Sequence, residues 1–163
     1  MLGYIKGGKM KRQGGFTLIE LVVVIVILGV LAVTAAPRFL NLQSDAHKSS
    51  LQGLKGAITS AASIVYSKSV IEGKETQPSS TLIENIDTAY GYPSATSTGI
   101  LLAIQSGSDS DKLASGIIDD SLFATFSDTA SGAMAIKRTH CYVTYTQASS
   151  SALPTVDVED SGC

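Results

Sequence analysis

The chain has 163 residues, of which 44% are hydrophobic and 16% charged, with 12 Lys and Arg set against 14 Asp and Glu. That length leaves room for one domain beyond an anchor. The net charge of −2, with no basic cluster after Arg38 larger than Lys137-Arg138, argues against nucleic acid as a partner, because such binding needs a basic face.

The chain opens with Lys6, Lys9, Lys11 and Arg12, followed by an apolar run over residues 16–36. At about 1.5 Å per helical residue this run spans roughly 30 Å, the thickness of a hydrocarbon core, so one helix is expected to cross a membrane once. Only Arg38 follows closely, and the charge asymmetry keeps the N-terminal arm in the cytoplasm. One carboxylate, Glu20, interrupts the run. A membrane anchor has no need of an acid, and such a residue marks a function and calls for a partner cation. A conventional secretory signal cut after Ala36 would instead release a soluble binding domain. Pro37 immediately after that cut, the length of the run and Glu20 within it all speak against that alternative.

Gly15-Phe16-Thr17-Leu18-Ile19-Glu20, placed between a basic leader and an apolar helix, resembles the prepilin motif of type IV pilins and pseudopilins. The resemblance implies cleavage after Gly15 by a membrane-embedded prepilin peptidase, which then N-methylates Phe16. It also implies that Glu20 neutralises the N-terminal amine of a neighbouring subunit during assembly. That amine is the missing cation, and the pair is strong only where water is excluded. Met10 offers a start alternative to Met1 and would leave the short leader of the type IVa subclass. Residues 37–45, Pro-Arg-Phe-Leu-Asn-Leu-Gln-Ser-Asp, look most like the major pilins of the mannose-sensitive haemagglutinin type. Removing residues 1–15 deletes four basic residues and no acid, leaving 8 − 14 = −6.

Pro37 cannot donate a backbone hydrogen bond to Val33, and Gly29 is a weak helix former eight residues earlier. Together they mark a candidate kink, and the resemblance implies softening of this stretch in filaments. Beyond Pro37 the pattern turns amphipathic: Leu51, Leu54, Ile58, Ala61 or Ala62, and Val65 recur at spacings of three and four. They predict a helix continuing to about Glu72 and stopped by Gly73. Such a helix, from Phe16 on, would approach 85 Å at about 1.5 Å per residue, more than so small a head needs for its own core.

Residues 73–99 are rich in Ser, Thr, Gly and Pro and read as an irregular connection with a short helix at 81–87. Short apolar runs follow at 100–104, 122–126, 133–137 and 141–146. In the last, Cys141, Val143 and Tyr145 alternate with Tyr142, Thr144 and Thr146, as an antiparallel strand with two unlike faces would require. The expected fold is α+β: a long N-terminal helix, apolar then amphipathic, packed against one small antiparallel sheet. Its organisation is a leader (1–15), a membrane and filament-core helix (16–37), an amphipathic helix half (38–72) and a globular head (73–163).

The two cysteines are Cys141 and Cys163. An isolated pair in an extracytoplasmic domain is most simply a disulfide, and the resemblance implies the same closure of a C-terminal loop. A metal or redox pair is the alternative, without a CxxC spacing to support it. His140 beside Cys141 suggests a Cys-His nucleophile only superficially, since adjacent strand residues face opposite ways; His47 lies apart on the helix. Asp109, Asp111, Asp119 and Asp120 could recruit calcium, but they lack the glycine and distal glutamate of an EF-hand loop.

No catalytic, cofactor-binding or metal-binding residue is therefore expected, and the chain reads as a peptidase substrate rather than an enzyme. The function implied by the resemblance is a structural subunit that passes from the inner membrane of a Gram-negative bacterium into an adhesive surface pilus. Its partners would be copies of itself, the prepilin peptidase and N-methyltransferase, the inner-membrane assembly machinery and a host or surface glycan. A secretion-system pseudopilin, forming a short periplasmic piston, is the rival within the same resemblance.

Overall fold

The computed structural model describes residues 15–78, 81–105, 113–126 and 130–163, with the backbone alone for 36–41 and 105. The leader before Gly15, Met10 included, and Asp109 and Asp111 lie outside the described residues. The chain divides into two compact units, residues 1–41 and 42–163. Helix α1 (Leu18–Ile71) contributes its first part to one and its second part to the other.

In the first unit, α1 is apolar around its whole circumference. Residues 18–35 have a mean hydropathy of 2.9, and none is buried. In the second unit the helix is one-sided, with Leu51, Leu54, Ile58, Ala62 and Val65 buried at the spacing of one helical face. Gly73, at φ 67, ends it. Gly73 N–H donates to Val70 O (3.1 Å) and Lys74 N–H to Ser69 O (2.9 Å), which is the Schellman pattern that satisfies the last carbonyls.

The segment expected to hold a short helix at 81–87 is instead a hairpin. Strands β1 (Thr81–Ile83) and β2 (Ile86–Ala89) pair antiparallel, and β3 (Tyr92–Pro93) completes a three-stranded sheet. Glu84 and Asn85 both have positive φ, 49° and 68°, which suits the twist of a two-residue hairpin and is incompatible with a right-handed helix. The apolar run at 100–104 forms α2 (Ile100–Gln105).

A second, four-stranded antiparallel sheet follows in the order β4 (Leu113–Ile118), β5 (Ser121–Phe126), β6 (Tyr142–Thr146), β7 (Thr155–Glu159), with α3 (Ala133–Thr139) inserted before β6. The head thus contains two sheets where one was expected. Register sets its layers. Leu122 pairs with Tyr145 and Ala124 with Val143, and these four join Leu51, Leu54, Ile58 and Ala62 of α1 in the main core. The alternate residues, Phe123 with Ala114, Ile118 and Tyr142, face Ala133 and Ile136 of α3. Helices therefore cover both faces of this sheet, as the two unlike faces of β6 anticipate. Gly116 permits the second contact, since a Cβ there would lie 2.0 Å from Ala133 N. The buried Tyr145 hydroxyl donates to Pro93 O at 2.6 Å and ties the two sheets together.

Candidate assembly site on the N-terminal helix

Glu20 is the one charged residue between Phe16 and Ala35. Its carboxylate Oε2 accepts from Thr17 N–H and from Thr17 Oγ1, each at 2.8 Å, while Glu20 N–H donates to Thr17 Oγ1 at 3.3 Å. This reciprocal capping box satisfies donors that the first helical turn leaves without partners. The Thr-x-x-Glu spacing was present in the sequence, yet Thr17 drew no role from it. In one chain, then, Glu20 caps its own helix at a solvent-facing position and has no cationic partner among the described residues. Phe16, directly ahead of the helix, is 93% exposed, and Gly15 has nothing within 4 Å of a notional Cβ.

Gly29 lies inside α1 with its surroundings open and floors a shallow depression between Ile25, Val26, Val30 and Val33. Pro37 also falls within α1. Around Thr34 the hydroxyl donates to Val30 O (3.3 Å) and Leu31 O (3.0 Å), so the one hydroxyl in this turn is absorbed by backbone carbonyls.

Cys141 and Cys163 form a disulfide with their Cα atoms 4.9 Å apart. Gly162 lets the terminal loop lie against the α3–β6 junction, because a Cβ there would meet Thr139 O at 2.1 Å. Its N–H donates to His140 O at 2.8 Å. His140 is the left-handed residue that ends α3, at φ 51, rather than part of a strand. The neighbouring Cys141 sulfur is bonded to Cys163. His47 lines a recess with Cys141 and Cys163. Asp119 and Asp120 form the β4–β5 turn, where Asp120 Oδ1 accepts from Gln147 Nε2 at 2.8 Å and Gln147 Oε1 in turn accepts from Ala95 N–H. Among the described residues, no three His, Cys, Asp or Glu converge as metal ligands would.

Residues 10–36 match the prokaryotic N-terminal methylation motif. The chain is 45% identical over 53 residues to the type IV narrow pilus major component PilA5 of Thermus thermophilus, an overlap covering 32% of this chain and 46% of that protein. It therefore spans about half the length of the curated relative it matches. No solved structure matches the chain. The N-terminal part of the chain is thus similar to the methylation motif and to a type IV pilus component, and the chain as a whole joins a long N-terminal helix to antiparallel sheets.

Proposed function

We propose that the chain is the structural subunit of a type IV pilus, held in the inner membrane by the first part of α1 and then polymerised into a surface filament. In this reading a prepilin peptidase cuts after Gly15 and methylates the amine of Phe16, and residues 16–37 form the membrane and then the filament-core segment. Glu20 exchanges its bond to Thr17 for the Phe16 amine of another copy. The observation that carries the proposal is the single carboxylate at the start of a helix that is otherwise apolar on every side and that none of the described residues covers. An apolar surface of that kind is stable in lipid or against other copies, and not in water. Gly29 and Pro37 are the positions where this segment would bend or unwind on leaving the membrane.

The residues after Pro37 favour an adhesive pilus of the mannose-sensitive haemagglutinin type in a Gram-negative bacterium, assembled by inner-membrane machinery and directed at a surface glycan. Intact mass and N-terminal sequencing of the exported protein test the processing. A chain starting at methylated Phe16 is expected; one starting at Pro37 would overturn the filament reading in favour of a soluble domain. Electron microscopy of shed material separates a surface pilus from a short periplasmic pseudopilus.

A further inference from the structure

A cavity of about 260 Å³ opens on the head between the end of α1 and the loop leading into β7. Tyr66, Tyr90, Tyr92 and Glu75 line it, together with the serine-rich turn at 149–152. Tyr66 and Tyr92 stack with ring centroids 4.3 Å apart and planes 13° from parallel. Gly91, at φ 78, lets the turn carrying Tyr90 and Tyr92 close on this corner: a Cβ there would sit 2.6 Å from Ser69 Oγ and 2.9 Å from Glu75 Cα. The turn is internally satisfied, with Ser149 N–H donating to Ala152 O at 2.9 Å and Ala152 N–H to Ser149 Oγ at 3.1 Å. Its shape does not depend on a ligand.

Glu75 is different. Its Oε2 is sealed from water and has no hydrogen-bond donor, the sole such side-chain atom among the described residues. A shielded carboxylate oxygen without a donor is costly, and native structures rarely keep one without a reason.

We propose that this corner of the head is a binding site for an organic cation, an ammonium group carried on a short aliphatic stem, held near the Glu75 carboxylate and against the rings of Tyr66, Tyr90 and Tyr92. Aromatic faces attract cations through their quadrupole, most strongly where water is displaced, and the carboxylate adds the opposite charge. A neutral sugar would stack on the rings and leave that charge uncompensated; an anion would be repelled. The net charge of −6 beyond Gly15 draws cations towards the head. The volume is smaller than a typical small-molecule site and suits a head group or one side chain. This inference does not depend on the chain forming a filament.

The test is a choline titration of the full chain in a non-ionic polyoxyethylene detergent, read by the ring NMR signals of the tyrosines. The neutral isostere 3,3-dimethyl-1-butanol and free mannose serve as controls. Saturable displacement of the Tyr66, Tyr90 and Tyr92 signals by choline is expected, with the isostere at least about tenfold weaker. Glu75→Gln and, separately, Tyr90→Leu should each weaken choline about tenfold while the remaining spectrum stays in place. Equal response to the isostere, undiminished binding by Glu75→Gln, no saturable change, or binding of mannose in place of choline would each overturn the proposal. Assembled filaments identify the source of the cation. Choline acting on both subunit and filament indicates an external ligand, whereas action on the subunit alone indicates a lysine of a second copy already seated there.

Discussion

The two parts of α1 are written in different chemistry although both are helical. From Leu18 to Ala35 every face is apolar and none is buried; from Leu51 to Val65 one stripe is apolar, and that stripe lies in the core of the head. The second part is used up by its own chain. The first part is left uncovered by the described residues, and in the proposed function lipid or other copies would cover it. In the proposed filament a lone carboxylate in the first part would select which copy, and in which register, covers the helix.

The sharpest way to break this comparison is Glu20→Ala. It should lower the yield of sedimentable filaments at least about tenfold, because the amine of the neighbouring subunit would be left without a counter-charge. The thermal unfolding of the head should be unchanged. A parallel fall in head stability would show that the two parts are not energetically separate.

A matched pair of truncations comes next. Ile58→Ala, in the core, should destabilise the head by about 2–5 kcal/mol in denaturant titration. Val24→Ala should stay within about 0.5 kcal/mol in the detergent-held subunit and show its effect in filament yield alone.

The C-terminal staple sharpens the account of the head. Cys141→Ser with Cys163→Ser frees a loop with a sequence separation of 22, and should cost about 3 kcal/mol in the chain-entropy view, visible as a lower denaturant midpoint under oxidising conditions. Filament assembly under mild conditions should survive it.

A pH response confined to the head bears on the second part alone. Burial, and then the nearby Tyr92, push the Tyr145 phenol well above its ordinary value of 10.0. The unfolded chain releases that proton near 10 and the folded chain keeps it. Stability is therefore untouched by this group below pH 10 and falls by about 1.4 kcal/mol per pH unit above it. Tyr145→Phe should flatten the alkaline slope in a series of urea titrations. It would also remove the donor to Pro93 O.

Much of the architecture was legible because it rests on local patterns. The 21-residue apolar run, the three-and-four spacing of Leu51, Leu54, Ile58, Ala62 and Val65, the stop at Gly73 and the alternation through Tyr142–Thr146 each report a local pattern that the backbone imposes on its own residues. The Glu20 anomaly was visible for the same reason, since one charge in an apolar helix needs no tertiary information to stand out. Where the reading failed, long-range contacts or backbone signs decided. The stretch at 81–87 folds as a hairpin because Glu84 and Asn85 take positive φ and β2 finds β3 beside it, while the runs at 100–104 and 133–137 are too short for periodicity to separate helix from strand. The polar-looking strand β7 owes its place to pairing with β6. The cavity around Glu75 draws on Tyr66, Tyr90, Tyr92 and the turn at 149–152, which are far apart in the chain. By itself the sequence determined a membrane-length helix bearing one carboxylate and a one-sided continuation; only the tertiary structure decided how the head divides into two sheets and where an unpaired acid meets three phenol rings, because those depend on which distant segments the buried stripe of α1 draws together.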